Sequence, residues 1–239
     1  MLPLERNKDL INDASLPYRE LVGKLQYLVQ STRRRISLVQ NAFCSIWVCY
    51  TKENFASAKR VLQYLGGTRS HGLVYRKSGA GSNLKICDYS DSDHANCPET
   101  SRSISGYVLR LNGWSFAFKS KKQKTVTDDT CKSEIVAASA CVESLLWVHE
   151  LLKEVGMEMG TPELRLDNQS TLKVCDNVGN YEGVKRYAKL SHKIAELVEG
   201  NKLTLHYVPT TENIADMFTK ALGSQRLSML RELLGSRTC

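Results

Sequence analysis

Four carboxylates stand out for their chemistry: Asp91 in Tyr89-Ser-Asp-Ser-Asp93, Glu134 in Lys132-Ser-Glu134, Asp167 at the head of Asp167-Asn-Gln-Ser170, and Asp216 in Asn213-Ile-Ala-Asp216. They are spread over more than half of the chain, so only a fold can gather them. Hard carboxylate oxygens brought into one cleft repel each other until divalent cations neutralise them. Two Mg²⁺ ions about 3.5–4 Å apart, or Mn²⁺ in their place, clamp a phosphodiester: one activates a water and the other stabilises the leaving oxygen. The predicted chemistry is therefore metal-dependent cleavage of a nucleic-acid backbone. Simpler roles stand beside it: Asp167 as the N-cap of a following helix, and Asp216 as a first-turn acid favoured by the helix dipole. Asp88 and Asp93 are left outside the site, Asp93 because it falls on the face of Asp91 but past the expected end of its strand.

The elements that must position these groups follow from periodicity. Leu84–Ser90 reads as a strand ending just before Asp91. Ile104–Leu111 and Trp114–Phe118 form a hairpin, because Asn112-Gly113 suits the two positive φ values of a type I′ turn. Apolar residues at helical spacing from Ser133 to Val155 carry Glu134 near their start. Glu163–Leu166 is a short strand that delivers Asp167 to a helix beginning at Asn168. A helix over 185–199, a strand over Leu203–Val208 and a last helix over Asn213–Leu222 complete the pattern. Three antiparallel strands, then helix, strand, helices, strand and helix predict an α/β mixed sheet flanked by helices.

The first third differs. Residues 1–80 carry 13 Lys and Arg against 5 Asp and Glu, which is the whole net charge of +8, while residues 81–239 carry 20 of each. Arg33, Arg34 and Arg35 are the densest basic point and predict contact with a phosphate backbone, a solvated basic face being the plain alternative. Apolar spacing predicts helices over 17–29, 36–50 and 55–65, the last stopping at Gly66-Gly67, and a short strand over Gly72–Tyr75. The polar stretch Lys77–Asn83 reads as a linker and divides the chain into 1–80, helical and basic, and 81–239. No apolar run reaches the roughly 18 residues of a membrane span. The N-terminus lacks the apolar stretch of a secretory signal, so an intracellular, cytoplasmic protein is expected. The eight cysteines show no metal-type spacing and read as reduced packing residues.

These residues together carry a resemblance. Residues 84–222 resemble the ribonuclease H domain of a Copia-type LTR retrotransposon polyprotein through Tyr89-Ser-Asp-Ser-Asp-His-Ala95, Ser101-Arg-Ser-Ile-Ser-Gly-Tyr107, Ser120-Lys-Lys-Gln-Lys-Thr-Val126, Asp167-Asn-Gln-Ser170 and Tyr207-Val-Pro-Thr-Thr-Glu-Asn-Ile-Ala-Asp-Met-Phe-Thr-Lys220. Residues 16–76, with Pro17-Tyr-Arg-Glu-Leu-Val-Gly23 and Ala58-Lys-Arg-Val-Leu-Gln-Tyr-Leu65, resemble the thumb and connection at the end of that family's reverse transcriptase. No Tyr-x-Asp-Asp polymerase motif is present, so DNA synthesis is not predicted.

The resemblance implies a ribonuclease H-like fold that cleaves the RNA strand of RNA/DNA hybrids, inside the virus-like particle of an active element and alongside the missing polymerase portion. It further implies that Asp91 bridges two ions, with Glu134 and Asp167 completing one site and Asp216 the other. Amide and hydroxyl groups of Asn168, Gln169 and Ser170 would read 2′-hydroxyls, and Lys121, Lys122 and Lys124 would meet phosphates. The chain departs from the family at Lys132, two residues before Glu134, and at Lys185-Arg186, where relatives carry Lys-His; a histidine there would assist product release. Two alternatives remain: a catalytically idle nucleic-acid-binding remnant, and a DNA-strand nuclease or integrase-like transferase on the same core.

Overall fold

The computed structural model describes residues 15–33, 36–75, 84–97, 99–176 and 187–238. The proposed linker 77–83, Arg34, Arg35 and Lys185-Arg186 lie outside the described residues. The chain divides into two units, Met1–Gly72 with Thr238–Cys239, and Leu73–Arg237. No disulfide joins the described cysteines.

In the first unit, α1 (Tyr18–Ser31) buries Tyr18, Val22, Leu25 and Val29, a spacing of three to four that makes one apolar stripe. This stripe meets Phe43 of α2 (Ser37–Ser45) and Ala58 and Val61 of α3 (Lys52–Gly67), in a core where Tyr18 stacks on Tyr50 with ring centroids 4.5 Å apart. A reciprocal cap starts α3: Thr51 accepts from the Asn54 N–H while the Asn54 side chain accepts from the Thr51 N–H. It ends at Gly67, at the glycine pair expected to stop it.

The second unit is built on a five-stranded sheet. Its strands are β1 (Cys87–Asp93), β2 (Ile104–Leu111), β3 (Trp114–Lys122), β4 (Glu163–Leu166) and β5 (Thr204–Tyr207). The order across the sheet is β3-β2-β1-β4-β5; β2 and β3 pair antiparallel, as do β1 and β2, whereas β4 runs parallel to both β1 and β5. This is the ribonuclease H-like mixed sheet expected from the sequence. Asn112 and Gly113 take φ of 47° and 84°, the paired positive values of the expected type I′ hairpin.

β1 runs three residues further than its composition suggested. Leu84 and Ile86 make only isolated bridges, and the ladder to β2 continues to Asp93 opposite Ile104. Ser90, Asp91, Ser92 and Asp93 are poor strand formers alone, but the ladder to β2 and burial override that weak preference. Asp93 therefore belongs to the strand, not to the loop beyond it.

α4 (Thr130–Glu154) packs Ile135, Ala138, Cys141, Val142 and Leu145 against Ile86, Leu109, Leu164 and Leu166 of the sheet side. By length and composition this helix would pass for a membrane span, an 18-residue stretch of it having a mean hydropathy of 1.5, contrary to the expectation that no segment would; 44% of that stretch is buried inside the fold, where the helix packs on the sheet. α5 (Gln169–Asp176) and α6 (Ala188–Glu199) follow. The expected final helix is instead a 3-10 turn, Ile214–Phe218, and a separate helix α7 (Ser224–Leu233) starts after Gly223. Asn213 caps the turn by accepting from the Ala215 N–H, and the Thr219 N–H bonds back to the Asp216 carbonyl, a three-residue span tighter than α geometry.

Candidate metal centre

Register explains why Asp91 and Asp167 meet. Tyr89 of β1 lies opposite Arg165 of the parallel β4, so two residues further on Asp91 falls beside Asp167, just past the strand end. On the other side Asp91 pairs with Gly106, and Gly106 with Ser120. β1 is the strand where antiparallel pairing gives way to parallel, and the C-terminal end of such a switch strand is a natural binding crevice.

Asp216 arrives from the 3-10 turn. The Asn213 amide donates to the Ser90 carbonyl at 3.0 Å and pins the turn to β1. Gly106 allows the close approach: a Cβ there would stand 2.6 Å from Thr219 Cγ2 and 3.2 Å from the Ala215 carbonyl oxygen. One carboxylate oxygen from each of Asp91, Asp167 and Asp216 then lies within 4.8 Å of the others. Asp91 and Asp216 are fully buried and Asp167 half-buried. Glu134 stands at the start of α4, whose N-terminus is capped by the Asp129 side chain accepting from the Lys132 N–H at 2.8 Å. Glu134 Oε1 accepts from the Ser92 N–H at 3.2 Å. Ser92 also donates to the Ser133 hydroxyl, and the buried Gln123 amide donates to Ser105 and to the Ser133 carbonyl, lacing α4 to β2 and to the end of β3.

The electrostatics are those of a crowded anionic pocket with one cationic side. Burial pushes the Asp91 carboxyl up to about 6, against the pull of the Lys220 ammonium, with Asp216 adding a further upward push. Glu134 is raised well above the ordinary range by burial first, then by the charges of Asp91 and Asp167. Lys220 Nζ donates to Asp91 Oδ1 and to Asp216 Oδ1, both at 2.8 Å. Thr219 donates its hydroxyl to Asp91 Oδ2, and Arg226 donates to Asp216 Oδ2 and to the Thr210 carbonyl. No described residue donates a hydrogen bond to the Asp167 carboxylate.

Of the four carboxylates singled out in the sequence, Asp91, Asp167 and Asp216 converge and Glu134 is held on the Ser92 N–H, one residue from Asp91; of the two acids left outside, Asp93 lies on the same strand as Asp91 and interacts with the charges of Lys220 and Asp91. Asp88 is buried, accepts from the Arg110 N–H at 3.1 Å, and is raised by desolvation, while Asp93 accepts from the Asn96 amide. Asn168, not Asp167, caps α5: its Oδ1 accepts from the Thr171 N–H at 2.9 Å, which leaves Asp167 unclaimed by the helix. Gln169 and Ser170 are exposed on the first turn of α5. Lys121 and Lys124 are exposed, whereas Lys122 turns to the Cys97 sulfur at 3.0 Å. Arg33 has its guanidinium on the carbonyls of Thr68, His71 and Arg69, holding the end of α3. Lys132 is paired with Asp128 at 2.7 Å and Asp129 at 3.1 Å.

Sequence reasoning passed over Lys220, Arg226, Thr219, Asn213, Gly106 and Gln123 as parts of the site. Only Lys220 carried a local sign, its spacing of four from Asp216, the distance at which opposite charges pair along a helix.

No family model matches the chain. It is 29% identical over 224 residues to the retrovirus-related Pol polyprotein from transposon TNT 1-94 of Nicotiana tabacum, an alignment covering 94% of this chain and 17% of that protein. Identity to the corresponding polyprotein from transposon RE1 of Arabidopsis thaliana is 32% over 206 residues, 86% of this chain and 14% of that one. The chain thus spans about a sixth of the length of these curated relatives. Among solved structures it is similar to LC11-RNase H1, isolated from compost, with a TM-score of 0.46 and 19% identity, covering 56% of this chain and 92% of that one.

Proposed function

We propose, on the premise that this chain belongs to the Pol polyprotein family of Copia-type retrotransposons, that its α/β unit hydrolyses the RNA strand of RNA/DNA hybrids with the help of two divalent cations. The observation that carries this reading is the convergence of Asp91, Asp167 and Asp216 within 4.8 Å, from a strand, a strand end and a turn far apart in sequence. The donor set fits Mg²⁺ or Mn²⁺: it is all carboxylate oxygen, with no thiolate or imidazole among the converging groups. Asp91, Glu134, Asp167 and Asp216 would hold the ions. Bound there, the ions would activate water and stabilise the charge developing on phosphate.

The chain's own residues supply preorganisation. Thr219 fixes one oxygen of Asp91, the Ser92 N–H fixes Glu134, and Asn213 ties the turn of Asp216 to β1, so the oxygens are already aimed before substrate arrives. Gln169 and Ser170, exposed beside Asp167, are suited to meet 2′-hydroxyls, and Lys121 and Lys124 to meet phosphates. Asn168 keeps its amide N–H groups for substrate while its oxygen caps the helix.

A second reading, an idle nucleic-acid-binding remnant, has one observation in its favour: Lys220 and Arg226 already neutralise Asp216. Cleavage of a labelled hybrid by the purified chain with Mg²⁺ decides between them, with single-stranded RNA, duplex RNA and duplex DNA as parallel substrates. Mg²⁺-dependent cuts confined to the RNA strand of the hybrid are expected. Binding without cleavage would establish the idle remnant, and cuts in DNA would move the chain to the DNA-strand class.

A further inference from the structure

In the two-cation reading Asp91 and Asp216 would together help to hold one ion, and the Lys220 ammonium already lies against both. Its Nζ is 2.8 Å from an oxygen of each carboxylate, and the two acids are buried to 1% and 0% side-chain exposure. We propose that Lys220 is a built-in counter-ion for the Asp91–Asp216 edge, which a divalent cation entering that edge must displace; the proposal rests on the metal-centre reading above.

Three features separate Lys220 from an ordinary structural ion pair. First, it bridges two carboxylates that also converge on Asp167, so it lies in the acidic cluster instead of at its rim. Second, its side chain is 31% exposed, which gives the ammonium a way out to water. Third, its neighbour behaves differently: Arg226 Nη2, which donates to Asp216, donates also to the backbone carbonyl of Thr210 at 2.6 Å, so that one guanidinium nitrogen ties the carboxylate to the main chain. A lysine is a compact charge on a flexible stem and can swing away without dragging the backbone, whereas Arg226 is built to stay.

The reason for such a device is electrostatic. Two buried carboxylates side by side without a cation repel strongly, and a buried charge stripped of its partner is destabilising. Lys220 keeps the metal-free pocket in shape. The consequence is that ion binding at this edge is an exchange, ammonium out and divalent cation in, while binding at the Glu134–Asp167 edge involves no such displacement. The two ions should therefore load in order, with the Asp91–Asp216 ion second and weaker.

Two measurements on the whole chain, without nucleic acid, test this. In the wild type, amine acylation of Lys220 followed by mass spectrometry, relative to the exposed Lys202, should speed up severalfold when Mg²⁺ is raised to saturation. A ratio that stays constant or falls overturns the proposal. By isothermal calorimetry, K220M should bind Mg²⁺ about tenfold more tightly at its weaker site, and its metal-free Tm should fall by several degrees. Equal or weaker binding than wild type overturns it; if K220M does not fold, K220Q and the wild-type labelling carry the test. Heat of Mg²⁺ binding that is absent from wild type and both variants would remove the metal centre and this proposal together. Heat that is lost on D91N, with Lys220 labelling unmoved in wild type, would keep the metal centre and remove only the proposal.

Discussion

The two edges of the carboxylate cluster hold the same kind of ligand and solve the problem of buried charge in opposite ways. On the Asp91–Asp216 edge, Lys220, Arg226 and Thr219 supply cations and a hydroxyl, and the pocket is satisfied without any ion. On the Glu134–Asp167 edge, among the described residues, only the Ser92 N–H bonds Glu134, whose carboxyl is driven upward by burial and by its acidic neighbours. The difference teaches that an acidic cluster proposed to take two like cations need not be symmetric in its protein partners. One side is pre-neutralised by protein, and the other is left with a charge deficit that metal would relieve.

Asp91 belongs to both edges, so removing its charge is the sharpest test. Asp91→Asn should bring hybrid cleavage to background while circular dichroism shows the fold intact; retention of more than about a tenth of wild-type rate, a barrier change under roughly 1.4 kcal/mol, would show that the edges do not share this ligand.

The next comparison is of sign. Titrating metal-free protein with urea near pH 8, Asp216→Asn should lower stability by about 2 kcal/mol, because Lys220 and Arg226 lose their common anion. Glu134→Gln should raise it by about 1 kcal/mol, because a buried charge is removed while the Ser92 N–H keeps its acceptor. If both variants shift the same way, the asymmetry between the edges is wrong.

Acid sharpens the contrast from the other side. Asp91 takes up its proton at about 6 when folded, against an unfolded value of about 3.9. Between these values the folded chain binds more protons than the unfolded one, so this group's contribution is full below about pH 4 and is lost as pH rises through 6, on the order of 2–3 kcal/mol. The difference in urea stability between wild type and Asp91→Asn, measured in chelator from pH 4 to 7, should follow that slope; a flat difference would remove the account. Metal binding requires the deprotonated form, so Mg²⁺ affinity should weaken below pH 6.

The smallest intervention is a single methyl group. Gly106→Ala would collide with Thr219 and the Ala215 carbonyl, pushing the turn of Asp216 away from β1 at a cost of about 1–3 kcal/mol. Mg²⁺ binding at the Asp216 edge should suffer, with the Glu134 edge little changed, and a calorimetric titration that loses both sites would contradict their independence.

Much of this was legible in the residues. Asn112-Gly113 announced its hairpin through backbone chemistry alone, and Glu134 was placed near the start of a helix by apolar spacing. Asp91, Asp167 and Asp216, singled out by residue type and by their ordered motifs, do converge. What stayed hidden depends on tertiary contact. Asp91 through Asp93 look like a loop beyond the strand, and become strand only through pairing with β2. Gly106 looks like any strand glycine until a turn from the far end of the chain lies against it. Arg33 looked like part of a basic patch, yet three backbone carbonyls occupy its guanidinium. Charge counting cannot tell a free cation from an engaged one.

The tie from Asn213 to Ser90 spans 123 positions of sequence, and that from Lys220 to Asp91 spans 129. Synthesis proceeds from the N-terminus at about 5–20 residues per second, so Asp91, Glu134 and Asp167 leave the ribosome well before the turn that completes their pocket. A nascent chain ending at Pro209 has already made all five strands and three of the four acids, but neither Asp216 nor its lysine. The carboxylate pocket is thus closed only by the turn at 213–220, translated after every strand of the sheet, and a message interrupted before it would yield the sheet without its fourth acid.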